Sequence, residues 1–170
     1  MFKHILLPTD GSPASESAID TCVEFARETG ASITAIHVMP KLHLFAHETG
    51  ATEAAHEKVR RERELHSKHY LEFVEQHAAA AGVPCTSMLA TADAPYEAII
   101  KAARSAGCDL IAMASHGRRG IKALLLGSET QKVLTHSAIP VLVFRLAAEQ
   151  AANDVAEADE LAAQVTVGGL

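Results

Sequence analysis

The sequence predicts an α/β fold, a parallel β-sheet with helices on both faces. Short apolar runs rich in Ile, Leu and Val alternate with longer segments of helical periodicity. One run, Leu110-Ile111-Ala112-Met113-Ala114, is apolar throughout, the pattern of a strand covered on both sides. Gly and Pro residues punctuate the boundaries, at Gly11, Pro13, Gly30, Pro40, Gly82 and Gly107. Strand–helix–strand units of this kind cross over right-handedly, and ligands bind beyond the carboxyl ends of the strands where the strand order reverses.

The elements follow in order. His4 to Pro8 reads as a short buried strand, and Thr9-Asp10-Gly11-Ser12-Pro13 turns the chain into a helix with Ser12 as N-cap and Pro13 in its first turn. Ala18, Cys22, Phe25 and Ala26 form the helix's apolar stripe, and Gly30 ends it. Ser32 to Met39 is the second strand, closed by Pro40. After a loop expected to be mobile at Lys41 to Gly50, a long charged helix runs from about Thr52 to Ala81, with Ala55, Val59, Tyr70, Phe73, Val74 and Ala78 at helical spacing. Pro84 to Ala90 is a third strand, Pro95 to Ala106 a helix stopped by Gly107, and Leu110 to Ala114 the fourth strand. Ser128-Glu129-Thr130-Gln131 has the form of a capping box opening a helix through His136, and Ile139 to Phe144 is the fifth strand.

Bulk properties narrow the function. A chain of 170 residues holds one domain, here residues 1–146, and the composition changes after it. Residues 147–170 are alanine-rich and carry Glu149, Asp154, Glu157, Asp159 and Glu160 with no Lys or Arg, so they read as an appended acidic tail. A net charge of −6 and an aromatic share of 4% oppose nucleic acid binding, which uses basic stripes and stacking rings. Cys22, Cys85 and Cys108 are odd in number and widely spaced, without a C-x-x-C pair. No apolar run reaches membrane-spanning length, and a reducing cytoplasm is the expected location.

The densest motif is Asp109 to Gly117, followed by Gly127-Ser128-Glu129-Thr130. A buried strand here ends in a glycine-bearing loop with Arg118 and Arg119, and a second glycine opens a helix. Backbone N–H groups at such a helix start favour an anion, so a phosphate site is expected, with plain turn and cap chemistry as its competitor. Ser128 can cap its helix, hold a phosphate oxygen, or do both. Asp10 can close an Asx turn or accept a hydrogen bond from a ribose hydroxyl or adenine amino group.

Other chemistries are less well served. His116 invites an acid–base role, yet no Ser–His–Asp or Cys–His order accompanies it, and no catalytic residue is nominated. His43 with His47 and His66 with His69 have ligand-like spacing but sit among the Glu, Lys and Arg of a solvated helix face, so no metal site is expected. The chain has neither a G-x-x-x-x-G-K-[ST] loop nor a G-x-G-x-x-G turn.

Taken together, Ile5-Leu6-Leu7-Pro8-Thr9-Asp10-Gly11-Ser12, Ile36-His37-Val38, Asp109 to Gly117, Leu126-Gly127-Ser128 and Ile139-Pro140-Val141-Leu142-Val143 strongly resemble the universal stress protein family, over residues 1 to about 146. The resemblance implies a five-stranded parallel sheet of order 3-2-1-4-5, an adenine-nucleotide alpha-hydrolase-like three-layer sandwich, paired as a homodimer through the last strand. That strand, Val141 to Phe144, is itself an apolar edge of the kind that tends to be paired. The ATP-binding branch of the family carries G-x2-G-x9-G-[ST]. This chain reads Ala114-x2-Gly117-x9-Gly127-Ser128, with Ala114 where the first glycine stands.

By the same resemblance Pro8, Thr9 and Asp10 frame an adenosine and Val38 offers backbone groups to the base. Met113, Ala114, His116 and Gly117 line the ribose and phosphate side, and Gly127, Ser128, Glu129 and Thr130 receive the phosphates. The implied ligand is ATP or AMP, with Mg²⁺ offsetting the carboxylate of Glu129. The implied function is that of a cytoplasmic dimeric stress sensor or signalling module with an unidentified protein partner and at most slow ATP hydrolysis. A nucleotide-independent interaction protein of the same family is the alternative. An enzyme acting through an adenylylated intermediate lacks its glycine- and serine-rich loop after the first strand.

Overall fold

Along β1 (His4–Pro8) the side chains divide between two faces, and that division organises the molecule. Ile5 and Leu7 join one apolar cluster and Leu6 the other, all three at most 1% exposed. In β4 (Leu110–Ala114), Leu110 and Ala112 join the first cluster while Ile111 and Met113 join the second. The computed structural model describes residues 2–41, 53–115 and 126–145, with only the backbone for 53–56. The tail from 146 onward and nearly all of the loop after Pro40 lie outside the described residues.

The remaining elements are α1 (Pro13–Thr29), β2 (Ser32–Met39), α2 (Glu53–Ala80), β3 (Cys85–Thr91), α3 (Pro95–Ser105), α4 (Ser128–His136) and β5 (Val141–Phe144). The five strands form one sheet of order β3-β2-β1-β4-β5, all parallel, as expected. Pro8 pairs with Ile36, Ile5 with Leu110, and Ala114 with Phe144. The first cluster takes Ile19, Cys22, Val23 and Ala26 of α1 and Leu71, Val74 and Ala78 of α2. The second takes Ile99, Ile100 and Ala103 of α3 and Val133 of α4. Each large aliphatic side chain buried in these layers contributes roughly 1.5–3 kcal/mol.

Helix α1 begins and ends as the sequence indicates. Ser12 is extended (φ −84°, ψ 156°) and accepts the Ser15 N–H, Pro13 follows, and Gly30 at φ 65° donates to the carbonyls of Ala26 and Arg27. Its buried stripe contains Ile19 and Val23 beyond those expected, while Phe25 is only partly buried. In α2 burial starts at Ser67, and Val59 and Leu65 are exposed. A 28-residue helix is about 42 Å long and an eight-residue strand about 26 Å, so the start of α2 outruns the sheet it covers.

β3 lies one residue later than expected, at Cys85–Thr91, and α3 ends one residue early, at Ser105; two further boundaries differ for a reason visible in the hydrogen bonds. β5 begins at Val141, not Ile139, because Ser137 Oγ bonds both the N–H and the carbonyl of Ile139 and bends the chain there. Ser128 is not the N-cap of α4. The cap is Gly127, extended at φ −57° and ψ 143°, so the cap residue itself brings no side chain to this helix start. The Gly127 N–H is held by the Ser115 carbonyl at 2.7 Å, which anchors the cap to the end of β4 one residue early. Ser128 then takes helical geometry, and the S-x-x-Q pattern forms no capping box.

Candidate functional site at the carboxyl ends of β1, β2 and β4

β1 and β4 are neighbours in the sheet, yet α1 after β1 and α4 after β4 cover opposite faces. The chain therefore parts between their carboxyl ends, and the crevice there is where ligands bind in open α/β sheets.

On the β1 side the loop is held by hydrogen bonds through Thr9, Asp10 and Ser12. The Thr9 N–H donates to the Ile36 carbonyl at 2.9 Å, and Thr9 Oγ1 accepts from Gly11 N–H (3.3 Å) and Ser15 Oγ (2.9 Å). Asp10 Oδ1 accepts from both the N–H (3.0 Å) and the hydroxyl (2.6 Å) of Ser12. The Asx turn expected of Asp10 is thus formed, and it fixes the carboxylate at the head of α1.

Two residues not expected in the site, His37 and Tyr70, support this loop. His37 Nδ1 lies 2.7 Å from the Thr9 carbonyl oxygen, which can only accept, so Nδ1 carries the hydrogen. The Tyr70 ring meets His37 edge-on at 5.3 Å and lies so close to Gly11 that a Cβ there would overlap the ring. Gly11 also has φ +71°, so both its conformation and its neighbour require glycine. The periodicity of α2 marked Tyr70 only as an apolar-face residue, and the buried run of β2 concealed His37.

On the β4 side, Ser115 accepts from Gly127 and donates its N–H to the Phe144 carbonyl at 2.8 Å. Thr130, 4% exposed, donates its hydroxyl to the Ala114 carbonyl at 3.0 Å. Glu129 accepts the Tyr96 N–H at 2.9 Å with one oxygen and meets Lys132 Nζ at 2.8 Å with the other. It thereby caps α3, whose own N-cap, Ala94, has no side-chain hydrogen bond. Ala114 ends β4, and no described non-glycine residue has positive φ, so its methyl group imposes no backbone strain.

The expected site residues therefore fall into three groups. Pro8, Thr9, Asp10, Ala114, Gly127 and Ser128 stand at adjacent strand ends and at the α4 start. Met113, Thr130 and Glu129 are near them, but their side chains serve the second core cluster, the Ala114 carbonyl and α3 respectively. Val38 is partly buried on β2 and packs against the second cluster. His116 and Gly117, with Arg118 and Arg119, lie outside the described residues.

None of the three thiols is poised to react. Burial pushes Cys22 up to about 12, with Cys85 adding to it, and burial raises Cys85 and Cys108 to about 11, helped by Glu75 and Asp109 respectively. Among the described residues no cluster of three His, Cys, Asp or Glu side chains could hold a metal, and no helix is long and apolar enough to cross a membrane.

Known proteins share this fold. The model of the universal stress protein family matches residues 1–145. Universal stress protein YxiE of Bacillus subtilis is 32% identical over 149 residues, covering 85% of this chain and all of its own length. Universal stress protein MJ0577 of Methanocaldococcus jannaschii is 28% identical over 156 residues, and its solved structure superposes with a TM-score of 0.73 over 86% of this chain and 98% of its own. The structure of a universal stress protein family protein of Arabidopsis thaliana with AMP bound matches at a TM-score of 0.64 and 19% identity, covering 87% of this chain and 94% of that one. With the family model spanning the whole of the described sheet and its helices, the chain belongs to the universal stress protein family.

Proposed function

We propose that this chain binds an adenine nucleotide, AMP or ATP, across the carboxyl ends of β1, β2 and β4. The observation that carries the reading is the meeting, at two adjacent strand ends, of a fixed carboxylate with a helix start that lacks a side-chain cap. Asp10 supplies an acceptor suited to ribose hydroxyls, and the first-turn N–H groups of α4 supply donors and a positive dipole end suited to phosphate. In this reading Pro8 and Thr9 flank the nucleoside, the Val38 backbone meets the base, and Met113 and Ala114 contribute backbone rather than side chain. His116 and Gly117 complete the ribose and phosphate wall, and the phosphates lie against the helix start at Gly127, received by the main-chain N–H groups of Ser128, Glu129 and Thr130, since the Gly127 N–H is held by Ser115. The AMP found in the Arabidopsis relative supports the ligand class.

The protein acts as a cytoplasmic stress sensor that dimerises through β5, with nucleotide occupancy as its signal and at most slow hydrolysis. Lys132 and the Tyr96 N–H already offset the charge of Glu129. Mg²⁺ therefore serves the triphosphate itself, raising ATP affinity while leaving AMP affinity unchanged. The commitment of the Glu129 and Thr130 side chains to protein partners also suits a nucleotide-independent interaction protein.

Mass spectrometry of small molecules released from the denatured full-length protein, together with calorimetric titration of AMP and of ATP with and without Mg²⁺, separates these readings. Bound or titratable adenine nucleotide supports the sensor, with Mg²⁺ affecting ATP alone. A protein that neither carries nor binds nucleotide would select the interaction module.

A further inference from the structure

Away from the nucleotide crevice, a groove of about 520 Å³ opens between α3 and α4. Tyr96 and Ile100 give it an apolar base, and Lys101, Arg104 and His136 stand along it. One acid, Glu97, also lines the groove, and the net charge of its lining is positive through Lys101 and Arg104. Glu97 accepts the Tyr96 hydroxyl at 2.9 Å, and Glu129 is held by Lys132 and the Tyr96 N–H. Lys132 also lies 5.4 Å over the Tyr96 ring, and His136 packs on the same ring at 5.2 Å. The side chains of Lys101 and Arg104 have no ion-pair or hydrogen-bond partner among the described residues. An apolar trough bordered by two unpaired cations and an aromatic ring calls for an acidic, partly apolar occupant.

The chain contains such a segment. Residues 146–170 carry five acids, Glu149, Asp154, Glu157, Asp159 and Glu160, and no Lys or Arg. Val155, Ala158, Leu161, Ala162 and Val165 recur within them at helical spacing. The segment follows β5, whose Val141 packs in the same cluster as Ile100 and Val133, the layer from which the groove is built. Fully extended it reaches roughly 80 Å, and as a helix about 37 Å. The α3 face is only about 16 Å long, so reach does not limit docking.

We infer that the acidic segment 146–170 docks in cis into the α3–α4 groove, its apolar positions against Tyr96 and Ile100 and its carboxylates against Lys101 and Arg104. The groove is then an intramolecular binding surface distinct from the nucleotide site. Because Glu129 joins the α4 start to the head of α3, the docked segment lies on the helix pair that borders the proposed phosphate seat.

Hydrogen exchange read by mass spectrometry on the full-length protein tests this. Peptides from 146–170 should exchange about tenfold more slowly than unstructured chain at low salt, and dilution should not change the rate. High salt, or the double variant Lys101→Glu/Arg104→Glu, should abolish the protection while leaving far-UV circular dichroism and Tm of the domain in place. Adding Glu157→Lys and Glu160→Lys to that variant should restore part of it. Unprotected peptides in the wild type, protection that survives the double reversal, or protection that disappears on dilution and so comes from a second copy, would each overturn the assignment.

Discussion

Glu129, in the first turn of α4, accepts the backbone N–H of Tyr96, in the first turn of α3, at 2.9 Å. One side chain thus stabilises the start of a neighbouring helix, and the carboxylate that might have repelled phosphate is held in place by a donor and by Lys132. Glu129→Ala is expected to cost about 1 kcal/mol of stability by leaving the head of α3 uncapped. Urea unfolding checks it, and an unchanged midpoint would mean that water replaces the carboxylate without cost.

Ser12 and Ser128 stand at comparable places in the sequence but not in the structure. Ser12 accepts the Ser15 N–H and caps α1, whereas Ser128 lies inside the first turn of α4 and caps nothing. Ser12→Ala should lose about 1 kcal/mol, and Ser128→Ala less than about 0.5 kcal/mol. Parallel denaturation curves decide the matter, equal losses being the contrary result.

Gly11 combines a positive φ with a tyrosine ring where its Cβ would stand. Gly11→Ala is expected to destabilise by about 2–4 kcal/mol, the backbone term alone being about 1–2 kcal/mol. In a Tyr70→Ala background the overlap vanishes and only the backbone part remains. A double-mutant cycle showing simple additivity would place the strain elsewhere.

Asp109 pins the start of β1, its carboxylate accepting the N–H of Lys3 (2.9 Å) and His4 (3.0 Å). Partial burial pushes its pKa up, but these N–H groups, its own N–H and the nearby His4 outweigh that and hold it below the usual carboxylate value. A lowered folded-state pKa adds stability above the unfolded-state value, and this is lost as pH falls through the folded one. Between about pH 7 and about pH 3, Asp109→Asn should therefore lose less stability than the wild type. Equal acid sensitivity of the two would contradict the assignment.

The fold was legible because strand burial and helix punctuation act locally. Leu110 to Ala114 declared a two-sided strand, and Ser12, Pro13 and Gly30 marked both ends of α1. The capping of α4 was not legible, because Gly127 is fixed by the Ser115 carbonyl and no short-range pattern encodes that closure. Tyr70 lies 33 residues from His37 in sequence and 5.3 Å from it in space, so its role at Gly11 emerges only from the packing of α2 on β2. The strand order and the grouping of site residues came from the family resemblance, and the geometry then divided those residues by what their side chains already hold.

In the proposed function the carboxyl ends of β1 and β4 form an adenine nucleotide site in which Asp10 meets the ligand. Calorimetric titration of AMP into the wild type and into Asp10→Ala tests it most directly. The wild type is expected to bind, and the variant at least about tenfold more weakly while staying folded with a loss of about 1 kcal/mol from the broken Asx turn. Equal affinity in the two proteins, or no AMP binding by a folded wild type, would contradict it.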